Sequence, residues 1–223
     1  MATGYQRARS PAQKAERTEQ ILAAAEAMLG EGHDVTSLSL NELARRAGMA
    51  KSNVYRYFES REAVLLALLA DRTERWVRAA TREIGALDAD GEARARLERA
   101  AEVLSRTAAA RPVMCHLMSV LPAVLEHNVS VDSVRQYKRS SLALIGALAE
   151  TLHGVVPELP SARHGELLHH AFAFIVGGWP LANPSEVTRE AMRDPELAPF
   201  THDFEPELRR VFVLLAAGML AEA

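Results

Sequence analysis

Basic side chains cluster between positions 45 and 61 of this sequence, in a pattern suited to binding phosphate. Five Arg or Lys residues stand there against a single acidic residue, Glu59. The whole chain of 223 residues has a formal net charge of −3, so the positive charge is local. Affinity for DNA requires cations that face the phosphates and does not require a basic protein. A solvated charged surface gives the same excess, and charge alone favours that plainer interpretation.

No arrangement of residues indicates catalysis or a metal site. The chain lacks G-x-S-x-G, a P-loop and a glycine-rich dinucleotide motif, and it has no HExxH or CxxC spacing. A structural or surface role is expected for the residues that invite a metal hypothesis, which are Cys115, His116, His164, His169 and His170. We therefore predict that the protein is not an enzyme and has no cofactor and no metal.

Cysteine content and the lengths of apolar runs bear on location. The single cysteine, Cys115, cannot form a disulfide within the chain, which fits a reducing compartment. Residues 1–14 are polar and contain no apolar segment typical of signal peptides. The longest apolar run, at 211–221, is shorter than the roughly 20 residues that span a bilayer. A cytoplasmic protein without a membrane partner is predicted.

Helical periodicity runs through almost the whole chain, and no convincing strand pattern occurs. Residues 179–202 carry four prolines and are predicted to be mostly loop, with Ser185 capping a short helix. The predicted helices are 18–29, 39–47, 51–58, a long helix capped by Ser60, 92–110, 112–121, 129–153, 161–176 and a last helix from Asp203 to about 220. An all-α fold follows.

Residues 39–58 have the form of two short helices joined by a tight turn. Ser39 and Glu42 stand three apart, as in a capping box, and Gly48 can adopt the positive φ that ends a helix. Val54 and Phe58 stand four apart, so they share one face and should point into the core. The long or polar residues that then face outward, towards phosphates and base edges, are Lys51, Ser52, Tyr55 and Arg56. A helical hairpin with a solvated outer face remains the alternative from geometry alone.

Residues 36–62 closely resemble the DNA-binding domain of TetR-family regulators. The stretch is TSLSLNELARRAGMAKSNVYRYF followed by ESRE, and the Ala-Gly pair, the Tyr-x-x-Phe pair and the capped next helix occur in register. The helix at 17–25 also matches, so the resemblance in motif covers 17–69. It implies an all-α chain with a three-helix helix-turn-helix DNA-binding domain at 1–60 and a larger helical ligand-binding and dimerisation domain at 61–223.

The family pattern, carried onto this sequence, implies a set of contacts to double-stranded DNA. The start of the recognition helix would approach bases, while the flanking hydroxyls and cations would hold phosphates. Ala50 departs from the family, which often has Ser or Thr there, and this puts one hydroxyl–phosphate contact in doubt. The residues implied to bind DNA are Ser37, Ser39, Lys51, Ser52, Asn53, Tyr55, Arg56, Tyr57 and Arg61.

The helix at 161–176 and the last helix carry apolar stripes that the resemblance assigns to a homodimer. A four-helix bundle with a partner would place two recognition helices about 34 Å apart, matching a pseudo-palindromic operator. Each helix needs one buried face in a monomer as well, so a single-chain core remains an open alternative. The stripe residues are Leu167, Leu168, Phe172, Ile175, Leu208, Val211, Phe212, Leu215 and Met219.

A small-molecule pocket is expected between the middle helices. Adaptable apolar groups with few polar anchors predict a mostly apolar effector. The candidate ligand contacts are Trp76, Met114, His116, Met118, His127, Tyr137 and Trp179. The resemblance implies a sequence-specific DNA-binding regulator, by default a repressor, which such a ligand would release from a pseudo-palindromic operator. The alternative is a helical adaptor that binds only protein, although the basic excess at 45–61 speaks against it.

Overall fold

The computed structural model describes residues 11–222, and every regular element in that range is helical. The all-α fold class is thereby confirmed. Residues 1–10, which hold most of the segment without a signal-peptide pattern, lie outside the described range. The α-helices are α1 (Pro11–Gly30), α2 (Leu40–Arg46), α3 (Lys51–Val54), α4 (Arg61–Gly85), α5 (Ala93–Ala109), α6 (Pro112–Val120), α7 (Val131–Val155), α8 (Ser161–Ala182), α9 (Glu186–Ala191) and α10 (Phe204–Ala221).

Serine caps fix the starts of the helices that frame the helix-turn-helix. The Ser39 hydroxyl accepts the N–H of Glu42 at 3.2 Å, and the Ser60 hydroxyl accepts the N–H of Ala63 at 3.0 Å. Each bond satisfies one backbone donor that the first helical turn leaves free. Gly48 has a φ of +65°, which turns the chain sharply between α2 and α3. The local sequence thus fixes the angle at which α3 leaves α2.

Helix α4 belongs to both parts of the molecule. Its first turns pack into the N-terminal domain through Val64, Leu65 and Leu68, and its later turns bury Trp76 and Ile84 in the body. The apolar positions keep helical spacing over 25 residues, and no Gly or Pro interrupts them before Gly85. One continuous helix therefore joins the helix-turn-helix to the body.

The body is a layered helical bundle around one apolar core. Helix α4 packs on α7, α5 packs on α10, and α8 contacts both α7 and α10. After α6 the chain forms a π-helical turn, Leu121–Leu125, which contains Pro122. This turn comes where α6 reaches the centre of the bundle, since Met118 and Leu121 are both buried.

The recognition helix is shorter than the predicted helix 51–58. Helix α3 ends as an α-helix at Val54, and the chain then tightens into bonds between residues three apart. The N–H of Arg56 donates to the carbonyl of Asn53 at 3.1 Å, and that of Tyr57 donates to Val54 at 2.9 Å. Such tightening is common at helix ends. It continues the helical turns of the backbone through residues 55–58, beyond the α-helix itself.

Residues 179–202 contain more helix than the predicted loop. Helix α8 runs through Pro180 to Ala182, and Ser185 caps α9 by accepting the N–H of Thr188 at 3.3 Å. Pro180 has no N–H to donate to the carbonyl of Val176, so α8 continues through it with one backbone bond fewer. The Asn183 N–H closes this end on the carbonyl of Trp179 at 2.9 Å. A 3₁₀ turn, Pro195–Phe200, then leads to α10.

Length and apolar content decide which of the described helices could cross a membrane. No single helix there combines the length and the apolar character needed to cross a membrane. Only α5 taken together with α6 and its π-helical turn meets both criteria, and that pair is bent by 87°.

Candidate nucleic-acid interface and ligand cavity

One side of α3 and the turn after it packs into the domain core, and the other side is exposed to solvent. Val54 is fully buried and Phe58 packs against the core, as predicted from their spacing. On the other side Lys51 and Arg56 are exposed, and Tyr55 is 49% exposed. The Lys51 ammonium lies 5.6 Å from the centre of the Tyr55 ring, within cation–π range. The structure thus presents a cationic and aromatic surface that a duplex can reach.

The remaining predicted DNA contacts fall into two environments. Ser37, Ser39 and Ser52 are exposed, and the Ser37 hydroxyl donates to the carbonyl of Asp34 at 2.8 Å. Asn53 and Tyr57 are half-buried, and Tyr57 packs against the core. Tyr57 is therefore placed to stabilise the domain, while the exposed serines can contact DNA directly. At Ala50, the departure from the family pattern, no side chain caps α3.

Arg61 is turned towards its own domain. Its guanidinium donates to the carbonyls of Thr36 and Leu38, the latter at 3.2 Å, and to the carboxylate of Glu62 at 3.1 Å. Glu62 is only 5% exposed, so this ion pair is largely shielded from water. Arg61 ties the start of α4 to the segment before α2, and a phosphate would have to share it with these partners.

A second link joins the turn before α4 to the first turn of α7. The carboxylate of Glu59 accepts the N–H of Ser130 at 2.7 Å and the hydroxyl of Ser133 at 3.0 Å. These hydrogen bonds hold the pKa of Glu59 below its usual range. We call this contact the Glu59 latch. It connects the helix-turn-helix to α7.

A cavity of about 300 Å³ lies inside the body, walled by α4, α5, α6, α7, α8 and α10. Its inner wall is apolar and includes the buried side chains of Trp76, Met118, Leu148 and Phe212. The lining residues with polar side chains, apart from the Trp76 indole, are Thr73, Ser105, Tyr137, Lys138, Ser141 and His169. The hydroxyl of Thr73 is buried without a hydrogen-bond partner in the described part of the chain.

Three of the seven predicted ligand contacts line this cavity, namely Trp76, Met118 and Tyr137. The other four lie elsewhere. Met114 is buried outside the cavity lining, His116 is half-buried on α6, His127 is exposed in the turn before α7, and Trp179 packs edge-on against the Phe204 ring at 4.9 Å. Whether any of the seven binds a ligand stays a prediction.

The cavity also takes residues that the resemblance assigned to dimerisation. Leu168, Phe172, Ile175, Leu208 and Phe212 line it. Leu167 and Met219 are buried in the same chain, whereas Val211 and Leu215 are half-buried. Sequence reasoning missed this part of the lining because an apolar stripe looks the same whether it faces a cavity or a partner. Contact with a partner stays a prediction for these residues.

Metal coordination finds no support in the described residues, where no three His, Cys, Asp or Glu side chains could hold one ion. His169 and His170, which the sequence analysis weighed as possible metal ligands, lie on the exposed side of α8. His164 is buried, and its Nε2 lies 3.0 Å from the carbonyl of Val156. His164 is thus held inside the fold, whereas His169 and His170 are exposed.

Comparison with known protein families gives two matches. Residues 21–68 match the family described as bacterial regulatory proteins, tetR family. Residues 70–223 match a tetracyclin repressor-like C-terminal domain. Over 65 residues the chain is 42% identical to an uncharacterised HTH-type transcriptional regulator of Mycobacterium tuberculosis. That alignment covers 27% of this chain and 32% of the relative, so the chain spans under a third of the relative's length.

Solved structures with the same fold cover nearly the whole chain. The fatty acid degradation regulator FadR of Bacillus halodurans has a TM-score of 0.54 at 17% identity, over 94% of this chain and 96% of its own. A TetR transcriptional regulator of Rhodococcus sp. RHA1 has a TM-score of 0.54 at 19% identity, over 91% and 96%. The TetR family repressor AlkX of Dietzia, implicated in biodegradation of n-alkanes, has a TM-score of 0.51 at 15% identity, over 98% and 99%. These likenesses establish the fold.

Proposed function

The chain belongs to the TetR family of bacterial regulatory proteins, and from this premise we propose that it is a repressor released from a pseudo-palindromic DNA operator by a small, mostly apolar ligand. The observation that carries the proposal is the exposed surface of α3 and the turn that follows it, where Lys51, Tyr55 and Arg56 face outward from a packed helix-turn-helix. In this proposal residues 1–60 bind DNA, residues 61–223 bind the ligand and dimerise, and the protein acts in the cytoplasm.

Homodimerisation would use the outward faces of α8 and α10. Leu181 on α8 and Leu214 on α10 are 55% and 58% exposed. Ala173 and Gly177 continue the face of α8, and both are small and exposed, so another helix can approach closely. A two-fold axis through this face would set two copies of α3 at the spacing of successive major grooves, about 34 Å.

Ligand-induced release would run through α4. Thr73, Trp76 and Val77 of this helix line the cavity, while its N-terminus is tied to the segment before α2 by Arg61. A ligand that binds better to a tilted α4 would favour a conformation whose α3 spacing no longer fits the operator. The Glu59 latch would pass shifts of α7 along a second route.

A band-shift experiment with the promoter DNA next to the protein's own gene tests the proposal. We expect sequence-selective binding that weakens steeply as salt is raised. Arg56→Glu should abolish retention, with the helical content and oligomeric state unchanged. Arg193→Glu, at an exposed arginine far along the chain in the segment after α9, is the matched control and should bind like the parent.

If binding lacks salt sensitivity and sequence selectivity, or if Arg56→Glu binds like the parent, a helical adaptor that binds only protein becomes the better description.

A further inference from the structure

We propose that the cavity in the body binds an amphiphile with one apolar chain and one anionic head group, of which a medium-length alkanoate is the simplest example. The head group would lie at a mouth between α7 and α8, beside Lys138 and His169. This inference rests on the proposed function and specifies the chemical class of its effector.

The exposure of the lining residues locates the mouth. Leu142 lines the cavity and is nevertheless 71% exposed, and the Lys138 side chain, which also lines it, is 55% exposed. His169, on the facing helix α8, lines the cavity and is exposed as well. By contrast Trp76, Met118 and the other inner residues are buried. The cavity therefore opens between α7 and α8 and is closed at its far end.

The charge at this mouth favours an anion. Among the described residues that line the cavity there is no Asp or Glu, whereas Lys138 and His169 can both carry positive charge. The Lys138 ammonium is paired with Glu126, and it lies 5.9 Å from the centre of the Tyr137 ring. An ammonium has three N–H donors, so it can hold Glu126 and a ligand carboxylate together. A cationic head group would find no acidic partner among the lining residues, and the nearby Glu126 carboxylate is already paired with Lys138.

The inner wall favours a hydrocarbon chain of limited length. Burial of apolar surface drives binding, and the walls offer Leu, Met, Phe, Trp and Ile side chains for it. A cavity of about 300 Å³ stands at the small end of known ligand pockets. With about 30 Å³ for a group the size of a water molecule, roughly ten chain groups fill it. A chain of about that length fits, and a longer one would protrude.

Calorimetric titration of the full-length protein with three probes of equal chain length tests the head group. The probes are decanoate, decan-1-ol and decyltrimethylammonium. We expect decanoate to bind at least about tenfold more tightly than the alcohol, because the carboxylate adds the attraction of its full charge for the Lys138 ammonium, whereas the alcohol offers only a neutral oxygen. The cation should bind more weakly than the alcohol. Equal or tighter binding of the alcohol or the cation would overturn the proposal.

A series of alkanoates tests the chain. Affinity should rise about fourfold with each added methylene until the cavity is full, and then level off near ten carbons. Binding that does not depend on chain length would show adsorption to the surface and would contradict an enclosed site.

Substitutions on and beside α7 assign the head group to Lys138. Lys138→Met keeps an apolar stem without the charge, and it should remove the preference for decanoate while lowering the affinity for decan-1-ol much less. Arg139→Met, at a neighbouring basic position outside the cavity, is the control. Glu126→Gln frees Lys138 from its partner and should tighten decanoate binding severalfold. A preference for decanoate that survives Lys138→Met would sink the assignment.

The band-shift and the titration separate this inference from the function on which it rests. A protein that binds DNA selectively but none of the probes keeps the regulator and loses the ligand class. A protein that binds decanoate with the expected profile but no DNA keeps the ligand class and loses the regulator.

Discussion

At the scale of single residues, Arg61 shows how a side chain expected on the DNA surface can serve the domain behind it. The resemblance implied a phosphate contact at this position. In the structure the guanidinium is occupied by two backbone carbonyls and by Glu62. The sequence could not reveal this, because the carbonyl acceptors at Thr36 and Leu38 lie 25 and 23 positions away and reach Arg61 only in the folded chain.

Arg61→Met should destabilise the protein and weaken DNA binding. The substitution leaves Glu62 buried without its partner, which costs about 1–3 kcal/mol. Chemical denaturation measures the loss. Arg45→Met, on a side chain that is 79% exposed, is the control and should change stability by less than about 0.5 kcal/mol. Equal unfolding midpoints for the two variants would show that the bonds of Arg61 contribute nothing.

Cys115 should be inert to thiol reagents in the folded protein. Its side chain is fully buried with the sulfur 3.3 Å from the carbonyl of Ala108, and burial raises the pKa of the thiol to about 12. At pH 8 only about one molecule in ten thousand would be a thiolate, the reactive form. Labelling with a chromogenic disulfide should therefore need denaturant. Rapid labelling under native conditions would contradict this prediction and make Cys115 a candidate redox-sensing residue.

At the scale of elements, the start of α7 is one of the places where the two parts of the molecule are joined by defined polar bonds. Glu59 reaches from the turn before α4 to Ser130 and Ser133. Tyr137, Lys138 and Ser141, one to three turns further on, line the cavity. We expect a shift of α7 at the cavity to displace the latch, because both lie on the same helix.

Glu59→Ala should weaken the coupling between ligand and DNA while sparing DNA binding itself. The readout is the ratio of DNA affinities without and with ligand, which should fall towards one. Asp132→Ala removes a carboxylate from the first turn of α7, next to the latch, and is the control, because the ion pair of Asp132 is with Arg135 in its own helix. If both variants respond to ligand like the parent, the latch plays no part in signalling.

The joint between α7 and α8 should lose stability in mild acid. Burial lowers the pKa of His164 below its ordinary value of about 6.5, and His153 beside it acts in the same direction. Below pH 6.5 the unfolded chain therefore binds more protons than the folded one, and stability falls as the pH is lowered through that window.

Unfolding midpoints at pH 7.5 and 5.5 measure this effect. His164→Gln keeps an N–H for the carbonyl of Val156 and should flatten the pH dependence, whatever its overall stability. His170→Gln, at an exposed histidine, should leave the slope as it is. A slope unchanged in His164→Gln would assign the acid sensitivity to other groups.

Much of the element pattern follows from local chemistry. Ser39 and Ser60 were identified as caps from their spacing, and Val54 and Phe58 as inward-facing, since these signals depend on only a few neighbours. The predicted end of α8 at residue 176 is wrong, and the helix continues to Ala182. Proline normally stops a helix, but here the Asn183 N–H and the contact of Trp179 with Phe204 stabilise the last turn. The cavity lining was split between two predicted roles, since only tertiary packing decides what an apolar stripe faces.

At the scale of the whole molecule, the exposed face of α8 and α10 should make the dimer. Leu214→Glu places a charge at the centre of that face, where it would be desolvated on association. We expect a monomer by light scattering and a large loss of operator affinity, with helical content unchanged. Val131→Glu, on a side chain that is 72% exposed on α7, is the control and should remain dimeric. A dimeric Leu214→Glu protein would move the interface elsewhere.

The unbroken course of α4 has a mechanical consequence. From Arg61 to Trp76 the helix rises about 22 Å, at about 1.5 Å per residue. If the end beside the cavity acts as the pivot, a tilt of about 5° displaces the other end by about 2 Å. In a two-fold dimer both ends swing, so the gap between the paired recognition helices changes by up to twice that amount. A ligand of a dozen heavy atoms is too small to push two domains apart. By tilting α4 near its cavity end, it would nevertheless change the spacing of the recognition helices enough to weaken DNA binding.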